Sequence, residues 1–489
     1  MGKMTTILAS ALMSGLLGAP PQPPALPREF RGLWVATVAN IDFPTRPGLD
    51  AESMDQELVQ LVARARQAGI NALLYQARPT GDAAYASSLE PWSEYLGPRR
   101  PTGWDPLARL ISLAHGAGIE VHAWINPFRA RHSTLKNPLG PTHLGVVHPD
   151  TMVEYGNQLW FNPADSRVQA RALTVARDFL RRYPLDGLHM DDYFYPYPLV
   201  SGGKRIPFDD GATYQAYRQR GGPLDLAAWR RHRINQFVQN LGQVVRKERP
   251  SARYGISPFG IYRPGIPRGI EAGLDPYVDL SADALLWLKR GWIDYLAPQL
   301  YWPLESKGQP FEPLLRWWKS QTPDVVHLWP GMSISRLDPD QQNWPISEIE
   351  NQVNLVRKYE TAGMIFFSAK MILNNTKNIR QELFPQLMKE AALPPALLRG
   401  SKTPPRPPRL AWKSGRLTWT LADIKKTKWV TLQSFEKGQW KLQKVLPPRA
   451  AGFENMTGDW IAVRTVNLQG QESPPVLLRP AKGAIRPGN

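Results

Sequence analysis

The sequence predicts an α/β chain: a (β/α)₈ TIM barrel followed by a small all-β sandwich. Three observations carry this. Eight short β-rich apolar runs alternate with longer amphipathic stretches after residue 28. The long connections, 79–104, 129–165 and 195–228, follow the second, third and fourth runs, as the loops of a barrel's active face do. Past the proline-rich SKTPPRPPRL at 401–410, the apolar pattern alternates with period two and loses its helical stretches.

The expected strands are 30–38, 71–78, 120–128, 187–194, 252–260, 293–302, 325–334 and 363–370. The expected helices are about 52–68, 105–117, 166–182, 229–247, 281–290, 311–320, 346–361 and 378–391. Gly69 and Gly118 punctuate helix-to-strand transitions, and Asp165 and Ser166 suit a helix cap. A doubly wound sheet is disfavoured, since no glycine-rich phosphate loop follows a strand. Beyond the linker, RLTWTL, KWVTLQSF, QWKLQKV, DWIAVRTVN and VLLRP read as a fibronectin type III-like sandwich. Of its tryptophans, Trp412, Trp419, Trp429, Trp440 and Trp460, most are expected in the core. The boundaries are then 1–27 for a leader with a proline-rich end, 28–395 for the barrel, 396–410 for the linker and 411–482 for the β-domain.

Lys3, the uncharged run TTILASALMSGLLGA and small residues near Ala19 read as a signal peptide, so export to periplasm or medium is expected; an irrelevant apolar tail is the alternative. No other uncharged run reaches the ~20 residues that span a bilayer. The absence of cysteine excludes disulfides, a thiol nucleophile, iron–sulfur clusters, Cys-ligated zinc and a lipoprotein anchor. The net charge is +18, and residues 396–489 alone hold 17 Lys and Arg against 5 Asp and Glu. That end can meet an anionic envelope surface, or simply confer solubility. No nucleic-acid motif is present. Eight scattered histidines, with no HExxH and no GxSxG elbow, argue against metal-hydrolase and serine-hydrolase chemistry, so no metal or cofactor is expected.

The strongest local signal is DGLHMDDYFYP at 186–196. Alternation turns Leu188 and Met190 toward the helices and His189 and Asp191 into the barrel. Asp191 stands at the strand's C-terminal end beside Asp192, within Tyr193, Phe194, Tyr195 and Tyr197. Two carboxyls among aromatics suit glycoside hydrolysis, one to attack or stabilise the anomeric carbon and one to protonate the leaving oxygen. A capping or bracing Asp pair, or a hard-cation site, is the rival reading. Gln76, Arg78 and Asp82, Asn126 and Arg129, Gln299, Tyr301 and Trp302, and Ser333 and Lys370 add polar and aromatic groups at other strand ends; Arg78 and Asp82 could pair with each other. The 18 tryptophans and 16 tyrosines fit a sugar ligand or plain core filling. The general acid is open among Asp192, Asp82, Glu90 and Glu305. A substrate acetamido group acting as nucleophile would reduce the protein's part to acid and orienter.

EFRGLWVATVANIDFP (29–44), QARPTGDAAYASSLEPWSEYL (76–96), WINPFRA (124–130), DGLHMDDYFYP, ISPFGIYR (256–263) and DYLAPQLYWP (294–303) together resemble the bacterial glycosyl hydrolase-like 10 family. The resemblance covers residues 28 to about 392. It implies an exported (β/α)₈ barrel, often with a C-terminal fibronectin-like domain, and a cell-wall activity on peptidoglycan glycan strands stripped of stem peptides. It places Asp191 and Asp192 at the catalytic centre. It implies that Arg78, Asp82, Asn126, Gln299, Tyr301 and Trp302 line the cleft; His189 and Tyr193, from the strand-four run itself, complete the expected substrate-binding set. The strand-four run also resembles the DxxDxDxE of chitinase-type barrels, with His189 for the middle Asp and Tyr193 for the Glu, so chitinase roles do not transfer. The expectation is an O-glycosyl hydrolase of a cell-envelope polysaccharide. A glycan-binding protein without turnover, or a metal-dependent hydrolase of a polyanion, are the alternatives.

Overall fold

The computed structural model describes residues 21–134, 137–413, 416–450, 452–454 and 458–480. The expected signal peptide lies mostly outside these. Eight parallel strands form the barrel: β1 (Phe30–Val35), β2 (Ala72–Arg78), β3 (Glu120–Ile125), β4 (Gly187–Met190), β5 (Arg253–Ile256), β6 (Tyr295–Leu296), β7 (His327–Leu328 and Gly331–Ser333) and β8 (Gly363–Phe367). Every neighbouring pair is parallel. The first half of β7 pairs with β6 and the second half with β8. Because β8 also pairs with β1, the ring closes through this broken strand.

The helices enclose the ring: α1 (Ala51–Gln67), α2 (Pro106–Gly116), α3 (Ser166–Arg182), α4 (Leu226–Glu248), α5 (Ala284–Lys289), α6 (Phe311–Gln321) and α7 (Ile346–Lys358). Five of them start on an aspartate whose side chain accepts a backbone N–H, namely Asp50, Asp105, Asp165, Asp225 and Asp283. Gly69 and Gly118 take φ of +72° and +77° just past α1 and α2, a conformation a side chain would strain. The single helix expected at 378–391 is instead two short pieces, Ile379–Glu382 and Phe384–Leu387, preceded by a further short helix at Ala369–Asn374. Asn375, Lys377 and Asn378 hold left-handed φ values and separate Ala369–Asn374 from the first piece, and Pro385, which has no N–H to donate, opens the second.

Two apolar layers result. Leu33, Leu73, Leu188 and Met190 point outward and pack with the helices. Phe30, Trp34, Leu74, Trp124, Tyr295, Trp329 and Ile365 fill the ring. Phe30 and Trp329 stack at 3.7 Å between ring centres.

Two long loops carry structure of their own. The β3 loop folds into a three-stranded antiparallel sheet of Arg129–Arg131, Gln158–Phe161 and Met152–Tyr155. The β4 loop contains a helix at Gly211–Gln219.

The C-terminal strands are β9 (Arg409–Lys413), β10 (Arg416–Thr420), β11 (Thr427–Glu436), β12 (Gln439–Leu446), β13 (Trp460–Asn467) and β14 (Val476–Leu478). β9 and β10 form a hairpin, and the others a four-stranded antiparallel sheet in the order β12, β11, β13, β14. Leu417, Val430, Leu432, Ile461 and Val463 form the core, with Trp412 and Trp419 packed on it. Trp429 packs with Leu26, Leu393 and Val466, which joins this domain to the barrel's flanking segments.

The β-domain sits at the N-terminal ends of the barrel strands. Lys428 reaches Glu120 at 2.6 Å and Asp186 at 2.7 Å, where β3 and β4 begin. Residues 23–24 lie against the β-domain, where Arg464 donates to the carbonyls of Pro23 and Pro24. Among the described residues, no helix is long and apolar enough to cross a membrane.

Candidate active site

At the opposite end of the ring, a cavity of about 350 Å³ is lined by Trp34, Gln76, Trp124, Arg129, Asp191, Tyr193, Ser257, Gln299, Tyr301 and Phe367, and rimmed by Val38, Ala39 and Ile41. Asp191 follows β4 directly and turns inward, as the alternation of that strand requires. Asn126, just past β3, donates its Nδ2 to both carboxyl oxygens, at 3.0 and 2.9 Å. Asn126 Oδ1 in turn accepts from Gln76 Nε2 at 3.1 Å, and Gln76 Oε1 accepts the backbone N–H groups of Thr37 and Val38. This relay fixes both amides in one orientation, because each oxygen must accept and each nitrogen must donate.

Asp192 is buried behind Asp191 and accepts a hydrogen bond from the Tyr197 hydroxyl. Burial, and then the charge of Asp191, push its carboxyl up to about 7. Burial also raises Asp191, against the pull of Arg129 and Asn126. Two desolvated neighbouring carboxyls resist ionising together, so the pair titrates as one system.

The other expected site residues occupy distinct places. Tyr193, Gln299 and Tyr301 line the cavity beside Asp191. Tyr193 carries the Arg129 guanidinium over its face at 4.0 Å. Arg78 is fully buried; it forms a two-pronged ion pair with Glu90 and donates to the carbonyl of Asn126 at 2.6 Å. Its partner is thus Glu90 rather than Asp82, and Glu90 is committed to that pair. Asp82 accepts from Thr80 at 2.7 Å and faces a neighbouring cavity of about 500 Å³ with Trp92 and Glu94; burial pushes its carboxyl up to about 6. Trp302 packs edge-on against Phe259, outside the lining of the Asp191 cavity. Glu305 is exposed and likewise outside it. His189 lies beneath the cavity floor, where Trp34 Nε1 donates to its Nε2 at 3.1 Å and Tyr295 bonds its Nδ1 at 3.0 Å. Among the described residues, no three His, Asp or Glu side chains gather as metal ligands.

Trp34 and Phe367 are lining residues that the sequence reading passed over. Trp34 was within reach of it: alternation along FRGLWVATV turns Phe30, Trp34 and Ala36 into the ring. The rim at Val38, Ala39 and Ile41 carries no such signal.

The model of the family described as "Glycosyl hydrolase-like 10" matches residues 29–346. The chain is 34% identical over 438 residues to glycosyl hydrolase YngK of Bacillus subtilis (strain 168), covering 86% of this chain and 84% of that protein. It is 30% identical over 380 residues to glycosyl hydrolase DigH of Escherichia coli (strain K12), covering 71% and 85%. The catalytic domain of β-amylase from Paenibacillus polymyxa superposes with a TM-score of 0.50 at 10% identity, over 74% of this chain and 100% of that one, a likeness of fold. With the family's pattern running from β1 through β7, and so through the strands that carry Gln76, Asn126 and Asp191, the chain belongs to the glycosyl hydrolase-like 10 family.

Proposed function

We propose that the protein is a glycoside hydrolase that cuts the O-glycosidic bonds of a cell-envelope polysaccharide, with peptidoglycan glycan strands as substrate. The observation that carries this is Asp191 at the floor of an aromatic-walled cavity, aimed by Asn126, with Asp192 buried behind it and raised to about 7. Trp34, Trp124, Tyr193, Tyr301 and Phe367 offer ring surface to the apolar sides of sugars, while Gln76, Arg129 and Gln299 offer polar groups to hydroxyls.

In this reading the pair enters the reaction with one proton. Asp191 meets the sugar and its negative charge faces the anomeric carbon as positive charge develops there. The pair's proton, held on Asp192, passes to the leaving glycosidic oxygen as the bond breaks. On an N-acetylated sugar, the acetamido oxygen attacks the anomeric carbon while Asp191 accepts the acetamido N–H; water then opens the oxazolinium ion, its oxygen bonding to the anomeric carbon and its proton returning to the pair, so no second carboxylate is required on another strand. Export to the envelope is supported by the leader pattern of the first residues. The exposed Lys425, Lys426, Lys437, Lys441 and Arg449 would hold the β-domain near an anionic surface, with the cavity facing away.

The test is release of soluble fragments from purified glycan strands. Asp191→Asn and Asp192→Asn should each lower turnover by about 10²–10⁴-fold, the usual worth of an acid–base group. If both variants keep wild-type rates, the assignment is wrong.

A further inference from the structure

The ring's interior contains a second polar chain that the proposed chemistry does not use. It starts at the cavity with Trp34 and runs to the opposite end of the barrel. Trp34 Nε1 lies 3.1 Å from His189 Nε2, His189 Nδ1 lies 3.0 Å from the Tyr295 hydroxyl, and that hydroxyl lies 2.9 Å from His122 Nδ1. His122 Nε2 then faces Glu120 Oε2 at 3.4 Å. Glu120 is held by Arg253 at 3.0 Å and by Lys428 of the β-domain at 2.6 Å.

The direction of every bond follows from its ends. An indole nitrogen can only donate, so His189 Nε2 must accept. Neutral His189 then carries its proton on Nδ1 and donates to Tyr295. The single Tyr295 proton is left to donate to His122 Nδ1, which puts the His122 proton on Nε2, facing the Glu120 carboxylate. Any other arrangement sets two donors or two acceptors face to face. The chain also requires both imidazoles to stay neutral, which their complete burial favours.

Backbone space is reserved for it. A Cβ at Gly255 would stand 2.0 Å from the Tyr295 ring, and one at Gly187 would stand 2.6 Å from His122 Nδ1.

We infer that Trp34, His189, Tyr295, His122 and Glu120 form a one-way hydrogen-bond chain that positions the Trp34 indole in the cavity, and that Lys428 of the β-domain anchors its far end. His189, Tyr295, His122 and Glu120 are positioning residues; they touch no substrate. That Trp34 then sets glycan affinity rests on the glycan reading of the cavity. The chain itself does not rest on it.

The experiment is nitrogen-resolved NMR of the full-length protein. His189 is expected as the Nδ1–H tautomer and His122 as the Nε2–H tautomer, with neither titrating between pH 5 and 8. Tyr295→Phe and Lys428→Met should each move the Trp34 Nε1–H resonance. Tyr295→Phe should also raise KM for purified glycan strands by about tenfold, the worth of about 1.4 kcal/mol, with kcat within about twofold of wild type. An Nε2–H tautomer at His189, a titrating His122 or His189, or a Trp34 resonance unmoved in both variants overturns the inference. The tautomers need no variant to fold. Their presence in a protein inert toward glycan would leave the chain standing and defeat only the hydrolase reading.

Discussion

Asp192 shows how burial and a neighbouring charge raise an ordinary carboxyl toward neutrality. Its value of about 7 arises from desolvation first and the neighbouring Asp191 charge second. If that proton is the one delivered to the leaving oxygen, turnover should fall by about tenfold per pH unit above about pH 7, as the pair loses it. A pH–rate profile on glycan strands checks this. The same group has a stability signature. Its folded value lies above the unfolded one of about 4, so the native state binds more protons and stability falls as pH rises from about 4 to about 7. Asp192→Asn should therefore raise Tm at pH 8, by roughly 2–4 °C, and leave it nearly unchanged at pH 4. Asn126 acts differently, because it carries no charge and aims one. Asn126→Ala removes both donors to Asp191 and should lower kcat by about 10–100-fold with KM little changed, given the ~1.5–3 kcal/mol of hydrogen bonds to a charged group. Steady-state kinetics decides it. The Asp pair and its inward-turned member were legible in DGLHMDDYFYP, since strand alternation is local. The Arg78–Glu90 pairing was not, because the 11 residues between them form a loop whose return path no local pattern encodes.

That loop belongs to the scale of elements. It leaves β2 and returns to set Glu90 against Arg78, both nearly free of solvent contact, and Arg78 grips the Asn126 carbonyl at the end of β3. The ion pair thereby ties two strand ends at the cavity floor. Removing one partner strands the other as a buried charge, so Glu90→Ala should cost about 3–5 kcal/mol, measured as a lower urea midpoint. The barrel strands and most helices could be read in order from periodicity and caps, because both signals repeat within a few residues. The eighth helix could not. Its apolar spacing suits a helix, but Pro385 has no N–H to carry a helix through from Ile379–Glu382, and a second short piece starts at Phe384. The small sheet within the β3 loop also escaped, since its strands are three or four residues long and pair only through the loop's own return.

Over the whole molecule, the β-domain and the cavity occupy opposite ends of the ring. The basic surplus of the C-terminal region is spent partly inside: Lys428 is buried between Glu120 and Asp186, while His115 meets Asp186 at 2.8 Å. Lys428, Arg253 and His115 hold both carboxyls below the usual carboxylate range, Glu120 at about 2, against the opposing effect of burial. Folded values below the unfolded ones contribute stability above about pH 4 that is lost as pH falls toward 2. Lys428→Ala should thus be markedly less stable than wild type at pH 7, and the gap should narrow as pH drops below about 4. Denaturant titrations at the two pH values measure it.

The sequence by itself determined the ring, its order and the site's carboxyl pair, because alternation, helix caps and loop lengths act over short distances and repeat eight times. Only the tertiary structure decided which end the β-domain closes, that Arg78 answers to Glu90, and that Trp34 is wired through two histidines to Glu120. Those are contacts between residues from a dozen to hundreds of positions apart. Their partners are chosen by which side chains the closed ring leaves facing one another in a medium too dry to tolerate an unpaired charge or donor.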